Sequence, residues 1–178
     1  MILDEGKPQS LLKILQNKEW RQYYQRQLLD RAPQASLVAV KLNIPGAIKN
    51  NFYLQKMFQS GWQELLAQIK LESTILESAV YLQLSTGPEA FATTKLNSTD
   101  LKQITIAFED NFALGRLFDA DVLCSDTPQP FSRQDLALPP RRCLVCDLPA
   151  KQCAREQTHS KAQLRQAIEN YYQNYFGA

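Results

Sequence analysis

Apolar and polar residues alternate in short runs that are separated by stretches with helical spacing, a pattern that favours layers of sheet and helix over a helical bundle. Ser10 is suited to cap a helix that runs to about Asp30 and stops at Ala32-Pro33. Leu11, Leu12 and Leu15 form one stripe of that helix and Trp20, Tyr24 and Leu28 another, so it is expected to kink or to be covered on two sides. Ser36 to Ile44 reads as a strand broken at Pro45-Gly46, and Phe52 to Lys70 as the helix that follows. Ala79 to Ser85 reads as a second strand, again ended by a breaker, Thr86-Gly87-Pro88. Leu101, Ile104, Phe108 and Phe112 have helical spacing behind a Ser98-Thr99 cap, with Gly115 placed to end the helix. Leu117 to Cys124 is apolar except for two carboxylates, Ser125 to Pro140 is expected to be loop with one helical turn, and a last helix starts at Ser160 with Leu164, Ile168, Tyr171, Tyr172 and Tyr175 on one stripe.

These elements predict an α/β (α+β) chain: a single compact domain spanning 1–178, with a mixed sheet covered by helices. The 44% apolar content fits a domain with a real core. No apolar run approaches the ~20 residues that span a bilayer, and the first residues lack the basic and apolar regions of a signal peptide. A cytoplasmic location without membrane contact is therefore expected. The four cysteines are then read as thiols or metal ligands rather than disulfides. The formal charge of +2 is unevenly spread: from Arg133 to Arg165 seven basic residues face three acidic ones, a local +4 that leaves −2 elsewhere. A basic segment beside an acidic pair suits a polyanionic substrate or an acidic protein partner, and equally a solvated surface.

The candidate chemistry lies in the carboxylate strand. On a strand, Asp119 and Asp121 project from the same face with Cα atoms about 6.6 Å apart, so both can address one metal centre. Converging carboxylates repel and destabilise a fold unless a cation intervenes. Hard oxygen ligands favour magnesium, which keeps several waters and binds substrate phosphates too. The same pattern, hydrophobic residues alternating with two aspartates, is written in nucleotidyltransferase metal strands. Two solvated aspartates at a strand end, or capping a turn, are the plain alternative.

Around this pair, Gly115-Arg116-Leu117-Phe118-Asp119-Ala120-Asp121-Val122 resembles the signature of the apo-citrate lyase phosphoribosyl-dephospho-CoA transferases. Further blocks match in order across nearly the whole chain: Glu19-x-Arg21-x-x-x-Gln25, Leu42-Asn43-Ile44-Pro45-Gly46-x-x-Lys49, Thr86-Gly87-Pro88-Glu89 and Leu138-Pro139-Pro140-Arg141-Arg142-Cys143-Leu144-x-Cys146. The chain departs from the family pattern at Phe112-Ala113, where His-Pro is often found. The resemblance implies transfer of a phosphoribosyl-dephospho-CoA group from 2′-(5″-triphosphoribosyl)-3′-dephospho-CoA to a serine of the acyl carrier (gamma) subunit of citrate lyase, with release of diphosphate. It also implies catalytic roles for Asp119, Asp121 and Arg116.

The other motifs fit substrate binding. Asn43 to Gly46 follows a strand and leads through Lys49 into a helix, so backbone N–H groups there can cradle phosphate with Lys49 as a point charge; a rigid turn with a solvated lysine is the alternative. Gly115, Arg21, Arg141 and Arg142 join the candidate substrate-binding set, arginine being the side chain whose planar fork matches phosphate oxygens. The Cys/Arg-rich segment 133–160 carries Cys143, Cys146, Cys153 and His159, the chain's only histidine. A closed Cys3His set would suit structural zinc, and reduced thiols beside a solvated histidine are the alternative. Two rival functions are the analogous transferase for the malonate decarboxylase carrier subunit and a zinc-stabilised nucleic-acid-binding module. Against the second, no aromatic residue interleaves with the basic residues from Arg133 to Arg165, so no nucleic acid partner is expected.

Overall fold

The computed structural model describes residues 1–177. Helix α1 (Leu11–Arg31) begins where the Ser10 hydroxyl accepts from the Lys13 N–H. Then come β1 (Ser36–Leu42), α2 (Phe52–Glu72), β2 (Ile75–Tyr81), β3 (Glu89–Thr94), α3 (Ser98–Asn111), β4 (Phe118–Cys124), β5 (Thr127–Phe131), α4 (Ala150–Glu156) and α5 (Lys161–Phe176). The strands form one sheet ordered β2-β3-β1-β4-β5.

Every pairing in that sheet is antiparallel, which corrects the expectation of a mixed sheet. The reason is β3. Strands β1 and β2 point the same way and are joined through α2, but β3 enters between them, so the two parallel strands never touch. Nothing in the alternation of Glu-Ala-Phe-Ala-Thr-Thr announced that strand, because it is buried on both faces along its whole length.

The sheet separates two clusters. On one face Val38, Val40, Ala90, Ala92, Phe118, Ala120 and Val122 pack against Leu54, Met57, Phe58, Leu65 and Ile69 of α2 and Leu101 and Phe108 of α3, with Ile168 and Tyr172 of α5 joining them. Gly61 of α2 makes room for Phe118: a Cβ there would lie 2.1 Å from the ring Cζ. On the other face Leu37, Ala39 and Phe91 meet Leu28 and Leu29 of α1, with Trp20, Tyr24, Tyr81 and Leu123 at the margin. Helix α1 is therefore covered on one stripe only. Leu11, Leu12 and Leu15 are exposed, contrary to expectation, because α1 reaches the sheet only from its second stripe.

Other departures are local. Strand β2 lies four residues ahead of its expected span. Asn97, not Ser98-Thr99, caps α3 and accepts from the Asp100 N–H. Helix α3 stops at Asn111, and Gly115 instead opens a 3-10 turn (Gly115–Leu117) that feeds β4. The region expected to be loop holds β5, whose prolines are tolerated because it is an edge strand.

Candidate active site

The sheet register assembles the acidic site. Lys41 on β1 pairs with Glu89 on β3 and with Asp119 on β4, and one step along Ala39 pairs with Phe91 and Asp121. Directly paired antiparallel residues share a face, so Glu89, Lys41, Asp119 and Asp121 all project toward α1. Alternation along β4 sends Phe118, Ala120 and Val122 into the opposite cluster.

Helix α1 supplies the counter-charge. Buried Arg21 forms an ion pair with Glu89 through Nη1, while its Nη2 donates to the Ala39 carbonyl at 2.9 Å and to Asp121 Oδ2 at 3.4 Å. Asn17, one turn earlier, donates to Glu89 Oε1 at 2.9 Å. Lys41 Nζ lies 3.2 Å from Asp119 Oδ2. The Arg21 and Glu89 side chains are 6% and 4% exposed, whereas Asp119 and Asp121 are 38% and 32% exposed, so the aspartates form the open rim of a buried charge cluster.

Three carboxylates face two directly paired cations there, with the ammonium groups of Lys49 and Lys102 further out. Burial pushes the Asp121 carboxyl above the usual carboxylate range and the neighbouring Asp119 adds to the rise, with Arg21, Lys41 and Lys102 pulling back. Glu89 is likewise raised by burial, opposed by Arg21 and Asn17. Two same-face carboxylates at the open rim are hard oxygen donors of the kind that could hold a divalent cation.

The Asn43–Lys49 loop expected to hold phosphate lies beside this rim. The Asn43 N–H donates to the Leu117 carbonyl at 2.8 Å, extending the β1–β4 pairing past the strand end. Gly46 has a φ of 89° with open space around it, a conformation that asks for glycine. Lys49 is half-buried and donates to the Ile44 carbonyl; burial lowers its pKa, and the charge of Lys41 lowers it further, which places both ammonium groups in one field. Asn50 Nδ2 donates to the carbonyls of Leu82 (2.6 Å) and Leu84 (2.7 Å), tying this loop to the one that ends at Gly87.

The remaining arginines do other work. Arg116 Nη2 donates to the carbonyls of Arg142 and Cys143, and Arg141 Nη2 donates back to the Arg116 carbonyl. Arg116 and Arg141 thus clasp the Cys/Arg-rich segment onto the turn ahead of β4. Arg142 is exposed and pairs with Asp147. Gly115 serves packing: a Cβ there would lie 2.3 Å from the Phe108 carbonyl oxygen. Cys143, Cys146, Cys153 and His159 do converge, with ligand atoms all within 4.8 Å of one another, a Cys3His cluster able to hold a metal.

Several site residues had no sequence expectation. Lys41 is one, and Glu89 stood in the matched Thr86–Glu89 block without a role of its own. On α3, buried Glu109 accepts from the Ala120 N–H at 3.1 Å and buried Lys102 donates to the Ala120 carbonyl at 3.3 Å. Both bonds grip β4 between the two aspartates, where β5 pairs only with Val122 and Cys124. Arg133 holds Glu109 in turn, at 2.9 Å. The signal was a buried polar stripe, Lys102, Thr105 and Glu109, at helical spacing on α3.

A family model described as apo-citrate lyase phosphoribosyl-dephospho-CoA transferase matches residues 9–175. The chain is 38% identical over 170 residues to Protein CitXG of Leuconostoc mesenteroides subsp. cremoris, covering 96% of this chain and 36% of that protein. It is 34% identical over 177 residues to a probable apo-citrate lyase phosphoribosyl-dephospho-CoA transferase of Streptococcus pyogenes serotype M18, covering 96% of this chain and 89% of that one. It is also 36% identical over 162 residues to the apo-citrate lyase phosphoribosyl-dephospho-CoA transferase of Escherichia coli O7:K1, covering 90% and 86%. Among the described residues no helix is long and apolar enough to cross a membrane.

Proposed function

The chain belongs to the apo-citrate lyase phosphoribosyl-dephospho-CoA transferase family, and we propose that it transfers that prosthetic group from 2′-(5″-triphosphoribosyl)-3′-dephospho-CoA to a serine of the citrate lyase acyl carrier subunit. The observation that carries this reading is the same-face pair Asp119 and Asp121, set beside Lys41 and Lys49 at the rim of a buried charge cluster.

In the reaction the serine oxygen bonds to the α-phosphorus as the bond to the diphosphate oxygen breaks, and the serine proton leaves to a base. One of the two rim carboxylates, Asp119 or Asp121, would take that proton. Magnesium held by Asp119 and Asp121 would supply charge neutralisation at the phosphates and acidify the acceptor hydroxyl. Lys41 and Lys49 would meet phosphate oxygens as point charges in exchange for Asp119 and the Ile44 carbonyl, and Arg21 holds buried Glu89 and reaches Asp121. A cleft of about 780 Å³ lies between α1 and the β4–β5 hairpin, lined by Gln25, Arg26 and Leu29 on one side and Leu123, Cys124 and Thr127 on the other, and by none of the charged side chains of the rim. Gln25 follows Arg21 by one helical turn and Leu123 follows Asp121 by one strand repeat, which makes this cleft the candidate place for the dephospho-CoA arm. With His159 in the cysteine cluster, no imidazole is offered as the base.

The test is incubation with apo carrier subunit, the triphosphoribosyl substrate and magnesium, followed by intact-mass measurement of the carrier. The mass of one phosphoribosyl-dephospho-CoA unit should be added, and Asp119→Asn and Asp121→Asn should stay folded and abolish the addition. Near-wild-type transfer by both variants would remove the carboxylates from the chemistry, and modification of the malonate decarboxylase carrier alone would move the acceptor.

A further inference from the structure

The segment from Arg141 to His159 has little of its own to hold it in shape. Its side chains bury only Cys143 and Cys153, while Val145 and Leu148 are each 41% exposed. Yet its backbone is tightly folded. The Cys143 N–H donates to the Leu148 carbonyl at 2.7 Å and the Ala150 N–H to the Arg141 carbonyl at 2.8 Å, closing a hairpin that presents Cys143 and Cys146 on its loop. Cys153 follows on α4. A left-handed Gln157, with a φ of 51°, turns the chain back, and the Thr158 N–H donates to the Cys153 carbonyl at 3.2 Å, which delivers His159 to the same point.

Three thiols and the chain's only imidazole therefore meet across elements that pack little else. Cys146 Sγ lies 3.4 Å from Cys153 Sγ and 3.1 Å from His159 Nε2. These spacings are far beyond the ~2.05 Å of a disulfide. They are close to the edges of roughly 3.5–3.8 Å that ligand atoms make around tetrahedral zinc, given Zn–S of about 2.3 Å and Zn–N of about 2.0 Å. The Val145 N–H also points at Cys143 Sγ, at 3.5 Å, the direction that supports a thiolate bound to a metal.

We propose that Cys143, Cys146, Cys153 and His159 hold one zinc ion, and that this ion fixes the 141–159 segment onto the Arg116 turn at the head of the aspartate strand. All four tetrahedral positions go to protein side chains, so the ion is structural and has no open position for substrate. Its effect on the site runs through the clasp: the segment provides the carbonyls of Arg142 and Cys143 to Arg116 and the guanidinium of Arg141 to the Arg116 carbonyl. Arg116 is two residues from Phe118, where β4 begins. The inference does not depend on the transferase reading, since none of its four ligands is asked to touch substrate.

The chain should be purified without chelator or a metal-binding tag and its zinc measured by elemental analysis, with about one equivalent expected. Chelation should speed hydrogen exchange in peptides covering 141–159 and 115–117 while leaving the β1 and β3 core protected, and added zinc should reverse the change. Cobalt loaded in place of zinc should give the intense visible absorption of a tetrahedral thiolate site. Cys146→Ser with Cys153→Ser should lose the bound metal. Should that variant fail to fold, the wild-type stripping and reloading series still decides the matter. Protein without zinc that gains no exchange protection on adding it would overturn the proposal, and so would a double-serine variant that binds zinc as the wild type does.

Discussion

Replacing Arg21 by Met removes the guanidinium but keeps an unbranched chain of similar length, and it leaves two carboxylates facing α1 without their cation. Arg21 and Glu89 are 6% and 4% exposed, so water can do little to rescue Glu89. Removing one partner of such a buried pair costs roughly 3–5 kcal/mol, because the remaining charge is left uncompensated. At about 2–4 °C per kcal/mol for a chain of this size, the melting temperature should fall by about 6–20 °C at neutral pH. The deficit should depend on pH in a set direction. Glu89 already has its folded pKa raised above the ordinary 4.5 by burial, and loss of Arg21 raises it further. Between the unfolded value and the raised folded value the native state binds more protons than the unfolded one, so stability falls as pH rises through that window. The variant's loss is therefore greatest above the window and shrinks as pH is lowered toward 4.5. Urea unfolding followed by circular dichroism at neutral and acidic pH measures both quantities. Arg21→Met with Glu89→Met should recover much of the loss, as buried pairs replaced by apolar groups often do. A single-variant deficit under about 1 kcal/mol, the range of an exposed pair, or one of equal size at both pH values, would refute the reasoning.

Gly61→Ala should destabilise the chain by about 1–3 kcal/mol, since the new methyl would sit 2.1 Å from Phe118 Cζ and must displace the ring that backs the aspartate strand; thermal melting checks it. Transfer should decline as pH falls through the raised Asp121 value, because the protonated carboxyl can neither accept a proton nor hold a cation; a profile flat across the acidic range would argue against its role. Lys151, Arg155 and Lys161 are exposed and form no ion pair among the described residues, whereas Arg133, Arg142 and Arg165 are paired within the chain. Arg155→Glu with Lys161→Glu should slow association with an acidic carrier and flatten its salt dependence while leaving binding of the small substrate intact, as stopped-flow measurements at two ionic strengths would show.

What could be read from the residues alone follows their physical economy. Ser10 and Ser160 announced their helices because a side-chain oxygen at an N-cap has one job, and both make the bond expected. The aspartate strand was legible because two charges in an apolar run of period two fix both the strand and the face. The cysteines and histidine were legible because four soft ligands in one short stretch have few other reasons to gather. Strand β3 was hidden by burial on both faces, which erases alternation, and β5 by its prolines. The partners Lys41, Glu89, Lys102 and Glu109 were hidden for another reason: a lone charge in an element reads as solvent-facing, and only the register and the packing of α1 and α3 show that each is answered by an opposite charge or a backbone group.

The grip of α3 on β4 has a further meaning for how the molecule behaves in a crowded solution. Beyond the short reach of β5, the outer edge of β4 at Ala120 has an N–H and a C=O that no strand pairs, of the sort that a strand from another chain could bond. Glu109 and Lys102 already occupy both groups, and Arg133 secures the first of them. A strand arriving there would have to displace a buried carboxylate and a buried ammonium before forming its first ladder bond. The side chains that steady the aspartates thus also guard against edge-to-edge aggregation, so selection for one property would preserve the other.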